Sequence, residues 1–150
     1  MSMTIDTSDF DKGFAKIAKE CPEEGGKGLF KAGNELLRDA NKIIPTTPRD
    51  IGDLQGSGRT QGKSGMHEID QAQGAQAFMG KNEVSINVGF NCIYAARWHE
   101  LTPEEDRKIN WTTPGSGRKY LESKMVALKE KYMKIAADHI KNFLSGKFNV

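Results

Sequence analysis

Val84-Ser85-Ile86-Asn87-Val88-Gly89-Phe90 alternates large apolar residues with small or polar ones at every step. That period of two is the pattern of a strand with one face buried. Immediately upstream, Gly80-Lys81-Asn82 reads as a turn and residues 76–79 as the partner strand of a hairpin. On either side of this β region the period changes. Leu29, Gly33, Leu36, Ala40 and Ile43, flanked by Phe30, Leu37 and Ile44, keep the three-four spacing of a helix over about residues 27–43, stopped by Pro45. Downstream, Leu121, Met125, Leu128, Tyr132, Ile135 and His139 form one stripe that Ala136, Ile140 and Phe143 broaden. They predict a helix over about 119–144, terminated by Ser145-Gly146. The order predicts an α+β fold: a small antiparallel sheet packed by an N-terminal helical region and a long C-terminal helix.

The remaining segments are read by their punctuation. Residues 1–7 look like a loose arm. Ser8 is a candidate N-cap, and Phe10, Phe14, Ile17 and Cys21 recur at helical spacing until Pro22 and Gly25-Gly26 break or kink the helix. Between 45 and 74, two prolines and six glycines interleave with Ser, Thr and Gln. A weak strand over 54–60 and a flexible loop over 61–74 follow from that composition. Residues 92–98 suit either a short strand or a helical turn. Thr102-Pro103-Glu104-Glu105 is a capping box with proline at the first helical position, so a short helix starts there. Residues 112–117 are rich in turn formers.

A chain of 150 residues is one domain by size. Its apolar content of 37% and mean hydropathy of -0.62 describe a solvated surface around a modest core. No apolar run is long enough to span a membrane, and the N-terminus carries no secretion signal. Cys21 and Cys92 are too few and too far apart for a zinc ribbon or a disulfide framework, and read as reduced, buried thiols of a protein made in a cytoplasm. The net charge of +2 is no argument for nucleic acid. Residues 118–150 do carry eight Lys/Arg against three Asp/Glu, a pattern more typical of a solvated helix face than of a phosphate-binding one.

No catalytic constellation emerges. His67-Glu68 and His99-Glu100 lie far apart in the sequence, and neither makes an HxxxH or HExxH pattern. Cys92 sits in an apolar run that disfavours a reactive thiolate. Gly56-Ser57-Gly58 lacks the strand–turn–helix context of a nucleophile elbow. The expectation is therefore a protein that is not an enzyme, with no cofactor and no metal. The density of large polar-tipped side chains lies elsewhere. Residues 93–121 hold both tryptophans, Trp98 and Trp111, and two of the three tyrosines, Tyr94 and Tyr120.

Three motifs, in this order, resemble the small neck proteins of long-tailed bacteriophages, known as tail-completion, head–tail joining or minor capsid proteins. They are Gly52-Asp53-Leu54-Gln55-Gly56-Ser57 after a proline-bearing loop, Tyr94-Ala95-Ala96-Arg97-Trp98-His99-Glu100, and Tyr120-Leu121 opening the last helix. The likeness covers roughly residues 25–145. It departs at Gln55-Gly56, where the family more often has a basic residue, and at Arg97, which interrupts an apolar run. The resemblance implies a structural virion protein, assembled in the host cytoplasm into a closed hexameric ring. Its partners would be further copies of itself, a head-side connector or stopper protein, and a tail terminator or tail tube protein. Non-specific contact with threaded DNA would be compatible with that place, and membrane contact is not implied. Contact residues are then expected at Tyr94, Trp98, His99, Glu100, Trp111, Tyr120 and Leu121. Gln61, Lys63, Met66, His67 and Ile69 would form a docking loop. The alternatives are a tail-terminator type of ring protein, and a small DNA-binding or packaging-associated module that would bind DNA as a monomer.

Overall fold

The computed structural model describes residues 8–49, 53–62, 77–79 and 84–148. Helix α1 (Ser8–Lys42) is followed by a single turn, α2 (Asp53–Gly56), and strand β1 (Gly58–Gly62). Strands β2 (Ala77–Met79) and β3 (Val84–Phe90) come next. Then follow α3 (Ala95–His99), α4 (Pro103–Lys108), α5 (Glu122–Ala127) and α6 (Lys129–Phe148). The strand predicted over 84–90 is central to a three-stranded antiparallel sheet of order β1-β3-β2. Thr60 pairs with Val88 on one side of it and Phe78 with Ser85 on the other. The α+β expectation holds, with the hairpin partner where the sequence placed it.

The wide apolar arc of α1 has two neighbours, and that explains its width. One face lies on the sheet, where Leu37 approaches Gly58 closely, and the other lies along α6. Ala32, Leu36 and Tyr132 form the buried centre, with Val88, Leu121, Leu128 and Ile135 packed around them. The C-terminal helix therefore covers α1 rather than the sheet, contrary to the expectation of a sheet-covering stripe.

Three further expectations are corrected. Helix α1 runs through Pro22 and Gly25-Gly26 without ending. One missing backbone donor is tolerated because the helix is held from outside. Around Gly28 it lies so close to α6 that a β-carbon there would sit 2.9 Å from the Ala136 carbonyl oxygen. Glu20–Lys147 and Glu24–His139 pair the same two helices on that side. The side chains of Phe10, Phe14 and Ile17 lie outside the described set. Second, the C-terminal helix is not continuous. Leu128 (φ -115°, ψ 19°) separates α5 from α6, and α6 passes Ser145-Gly146 to reach Phe148. Before that turn Lys124 is 2% exposed, while Met125 and Val126 face outward. Third, residues 53–56 make a helical turn where the start of a weak strand was expected. The ambiguous 92–98 segment resolves into the helical turn α3. Residues 1–7 fall outside the described residues, as does nearly all of the predicted loop.

Candidate interaction surface

Residues 91–124 leave the sheet and return to the helix pair through a chain of local devices. Helix α4 starts with the complete capping box. The Glu105 N–H donates to Thr102 Oγ1 (3.3 Å), and the Thr102 N–H and hydroxyl donate to Glu105 Oε2 (2.8 and 2.9 Å). The Thr102 donors, backbone first, hold the Glu105 carboxyl below its usual range. Asp106 then accepts the Trp111 indole N–H at 3.0 Å, which orients Trp111 edge-on to Trp98 with ring centroids 5.5 Å apart. Arg97 lies over the Trp98 ring. Trp98 is half-buried, touching the cluster of Leu54, Ala95 and Tyr120. At the apex of the segment, Ile93 is 99% exposed and Tyr94 lies beside it on the surface.

Tyr120 is the pin of this unit. Only 1% exposed, it donates its hydroxyl to the Ala95 carbonyl (3.0 Å) and meets Phe90 and His99 edge-on. Burial pushes its phenol well above the ordinary tyrosine range. A side chain so enclosed has no area to offer a neighbouring molecule. Tyr120 supports the segment from within the subunit, and half-buried Leu121 packs against both buried clusters. Of the expected docking loop, Gln61 lies in β1, paired with Asn87. Lys63, Met66, His67 and Ile69 lie outside the described residues.

His99, Glu100 and Glu122 bring potential ligand atoms within 4.8 Å of one another. Lys119 answers what that cluster is for. Its ammonium is bonded to Glu100 Oε2 and lies 2.8 Å from Glu122 Oε2. It holds the Glu100 carboxyl below its usual range, with His99 adding to the effect, and its own pKa is raised by the same pair. The place a cation would take is filled by a side chain of the protein, and the cluster is an ion-paired junction. Lys119 reaches it from a left-handed backbone conformation (φ 52°) uncommon outside glycine. Its N–H donates to the His99 carbonyl at 3.0 Å.

Sequence reasoning missed four of these supports: Asp106, Arg118, Lys119 and Lys124. Arg118 donates to the Leu101 carbonyl at 3.0 Å, and Lys124 donates to the Pro45 carbonyl and to Ser123 Oγ (3.1 Å). Burial holds the Lys124 ammonium below the usual lysine range. A lysine in a lysine-rich helix reads as solvated, and only its burial against the Pro45 carbonyl reveals otherwise. Trp111 offered the one usable signal, since a half-buried indole N–H calls for an acceptor.

Among the described residues no helix is long and apolar enough to cross a membrane. Comparison with protein-family models, with curated proteins and with solved structures found no match.

Proposed function

We propose that this chain is a structural subunit of a phage neck, a ring component between the head-side connector and the tail. The observation that carries the reading is the apex of residues 93–98. An isoleucine almost wholly in water, a surface tyrosine and a half-buried tryptophan pair stand on a scaffold of capping bonds and ion pairs. Ile93, Tyr94 and the tryptophan pair are grouped in one segment, and a grouped apolar surface suits an assembly subunit that completes its contacts with neighbours. The same segment carries the Tyr94 to Glu100 motif on which the resemblance rests.

The DNA-binding alternative has less support. The outward side of α6 carries Lys134 and Lys141, but Glu130 and Asp138 interleave with them. Lys131 is committed to Asp39 (2.7 Å) and Glu35 (3.0 Å) inside the molecule. A face of mixed sign gives little counterion release.

The test is assembly with a Trp98→Ala protein. Desolvated aromatic anchors contribute about 2 kcal/mol or more at interfaces, so heads and tails should accumulate unjoined while the purified subunit remains folded. Normal infectious particles would overturn the reading. So would tight, salt-sensitive DNA binding by the isolated monomer.

A further inference from the structure

His99 bridges two elements through both ring nitrogens, and the two contacts require opposite roles. Its Nδ1 lies 2.6 Å from a Glu100 carboxylate oxygen, which can only accept, so Nδ1 carries the proton. Its Nε2 lies 3.3 Å from the backbone nitrogen of Glu122, which can only donate, so Nε2 presents its lone pair. Glu122 is the first residue of α5, whose preceding residue, Leu121, supplies no side-chain cap. The neutral imidazole therefore satisfies one of the orphan N–H groups at the start of that helix, from 23 residues away. The edge contact with buried Tyr120, at 4.9 Å and 90°, holds the ring in that orientation. The side chain remains 18% exposed, enough for a proton to reach it from water.

We propose that His99 is a proton-operated latch between α3 and α5: the neutral ring caps α5, and the imidazolium releases it. Protonation places a hydrogen on Nε2, which then faces the Glu122 N–H donor to donor, and the bond is lost. The charged ring does not leave the junction. Glu100 and the Glu122 carboxylate face it, and both attract the imidazolium, while Lys119 competes for the same two carboxylates. Arg97 on α3 is engaged over the Trp98 ring, and Arg118 is bonded to the Leu101 carbonyl. Acid thus exchanges a helix cap for an ion pair, beside the helix that carries Trp98. Histidine is the side chain whose unperturbed charge change falls between about pH 5 and 8. This inference does not depend on the neck assignment.

His139 provides an internal comparison. It too donates through one nitrogen, to Glu24 (2.9 Å), and accepts through the other, from the Lys31 ammonium (3.0 Å). Its lost donor would be the tip of an exposed, flexible side chain, which can swing into water. The lost donor at His99 is fixed backbone, so of these two histidines it is His99 that transmits protonation to a helix.

Nuclear magnetic resonance of the full chain tests the latch. At pH 8 the His99 ring should be the Nδ1–H tautomer. Amide exchange at residues 122–125, corrected for intrinsic chemistry, should quicken by about fivefold between pH 8 and pH 5, the equivalent of one ordinary hydrogen bond. His99→Gln offers a non-titrating acceptor at the same reach and should keep protection at both pH values. His99→Phe should lose it at both, and His139→Phe should retain the wild-type response. An Nε2–H tautomer at pH 8, unchanged protection across the titration, or the same acid response in His99→Gln would each overturn the proposal.

Discussion

The α1–α6 pair and the 91–124 junction are stabilised in opposite ways. The helix pair is redundant. Its antiparallel contact is repeated turn after turn, through Glu20–Lys147, Glu24–His139, Gly28 against Ala136, and Asp39 with both Lys131 and Tyr132. The junction has no periodic contact. It stands on unlike contacts, each found in one place: Thr102 with Glu105, Trp111 to Asp106, Tyr120 to Ala95, Lys124 to Pro45. Repetition tolerates an error such as Pro22, whereas a set of unique bonds fails member by member.

The largest effect should come from removing the pin of the junction. Tyr120→Ala leaves a cavity and an unpaired Ala95 carbonyl, and should cost about 3–5 kcal/mol in urea unfolding. Leu36→Ala in the helix pair should cost less, toward the lower end of the about 2–5 kcal/mol seen for such truncations, because packed neighbours on both sides can close in. A larger loss at Leu36 would break the contrast. At the one place where the helix pair is intolerant, Gly28→Ala forces a methyl against Ala136 and His139 and should cost about 1–3 kcal/mol. Gly56, with open space around it, is the control, and an equal loss there would refute the close-approach argument.

Charge reversal sharpens the comparison further. Lys131→Glu would set a third carboxylate against Asp39 and Glu35, so that change should destabilise the pair, whereas Lys129→Glu on the exposed surface should stay within about 0.5 kcal/mol. Equal effects of the two reversals would remove Lys131 from the helix contact. Thr102→Ala should cost about 1 kcal/mol, read as faster amide exchange confined to α4. Exchange rising throughout α6 would show that the junction is not local.

The smallest effect is a pH dependence with two opposing parts. Burial lowers the Lys124 pKa, so the unfolded chain binds that proton more tightly, and this group makes stability rise with pH in the window just below the ordinary lysine value. Burial raises the phenols of Tyr120 and Tyr132, so the unfolded chain loses those protons first and stability falls above about pH 10. Lys124→Met should remove the rise and keep the fall. The carboxylate partners that raise the Lys27, Lys119 and Lys131 pKa values add to the fall at the alkaline end, so the Tyr120→Phe, Tyr132→Phe double variant should lessen it rather than abolish it. Urea midpoints measured from pH 8 to 11 check both signs, and a fall undiminished in the double variant would contradict the assignment.

This contrast also explains what could be read from the residues alone. Val84–Phe90 was legible because alternation is a repeated signal, and the Thr102 capping box because its geometry is local. The continuity of α1 through Pro22 was not, since it depends on an α6 more than a hundred residues away. Lys124 was misread for a related reason. It continues the spacing of Leu121, Leu128 and Tyr132, but its partner is the Pro45 carbonyl, 79 residues away. Within the aromatic segment, the composition could not separate Tyr120, which is enclosed, from Ile93 and Tyr94, which are displayed.

Self-association of the purified chain, followed by sedimentation velocity over a wide concentration range, tests the displayed apex most directly. Wild-type protein should form larger species as concentration rises. Ile93→Asp, a change at a fully exposed position, should remain monomeric with the same urea midpoint. A wild-type chain that stays monomeric throughout, or an Ile93→Asp protein that assembles equally well, would contradict the account.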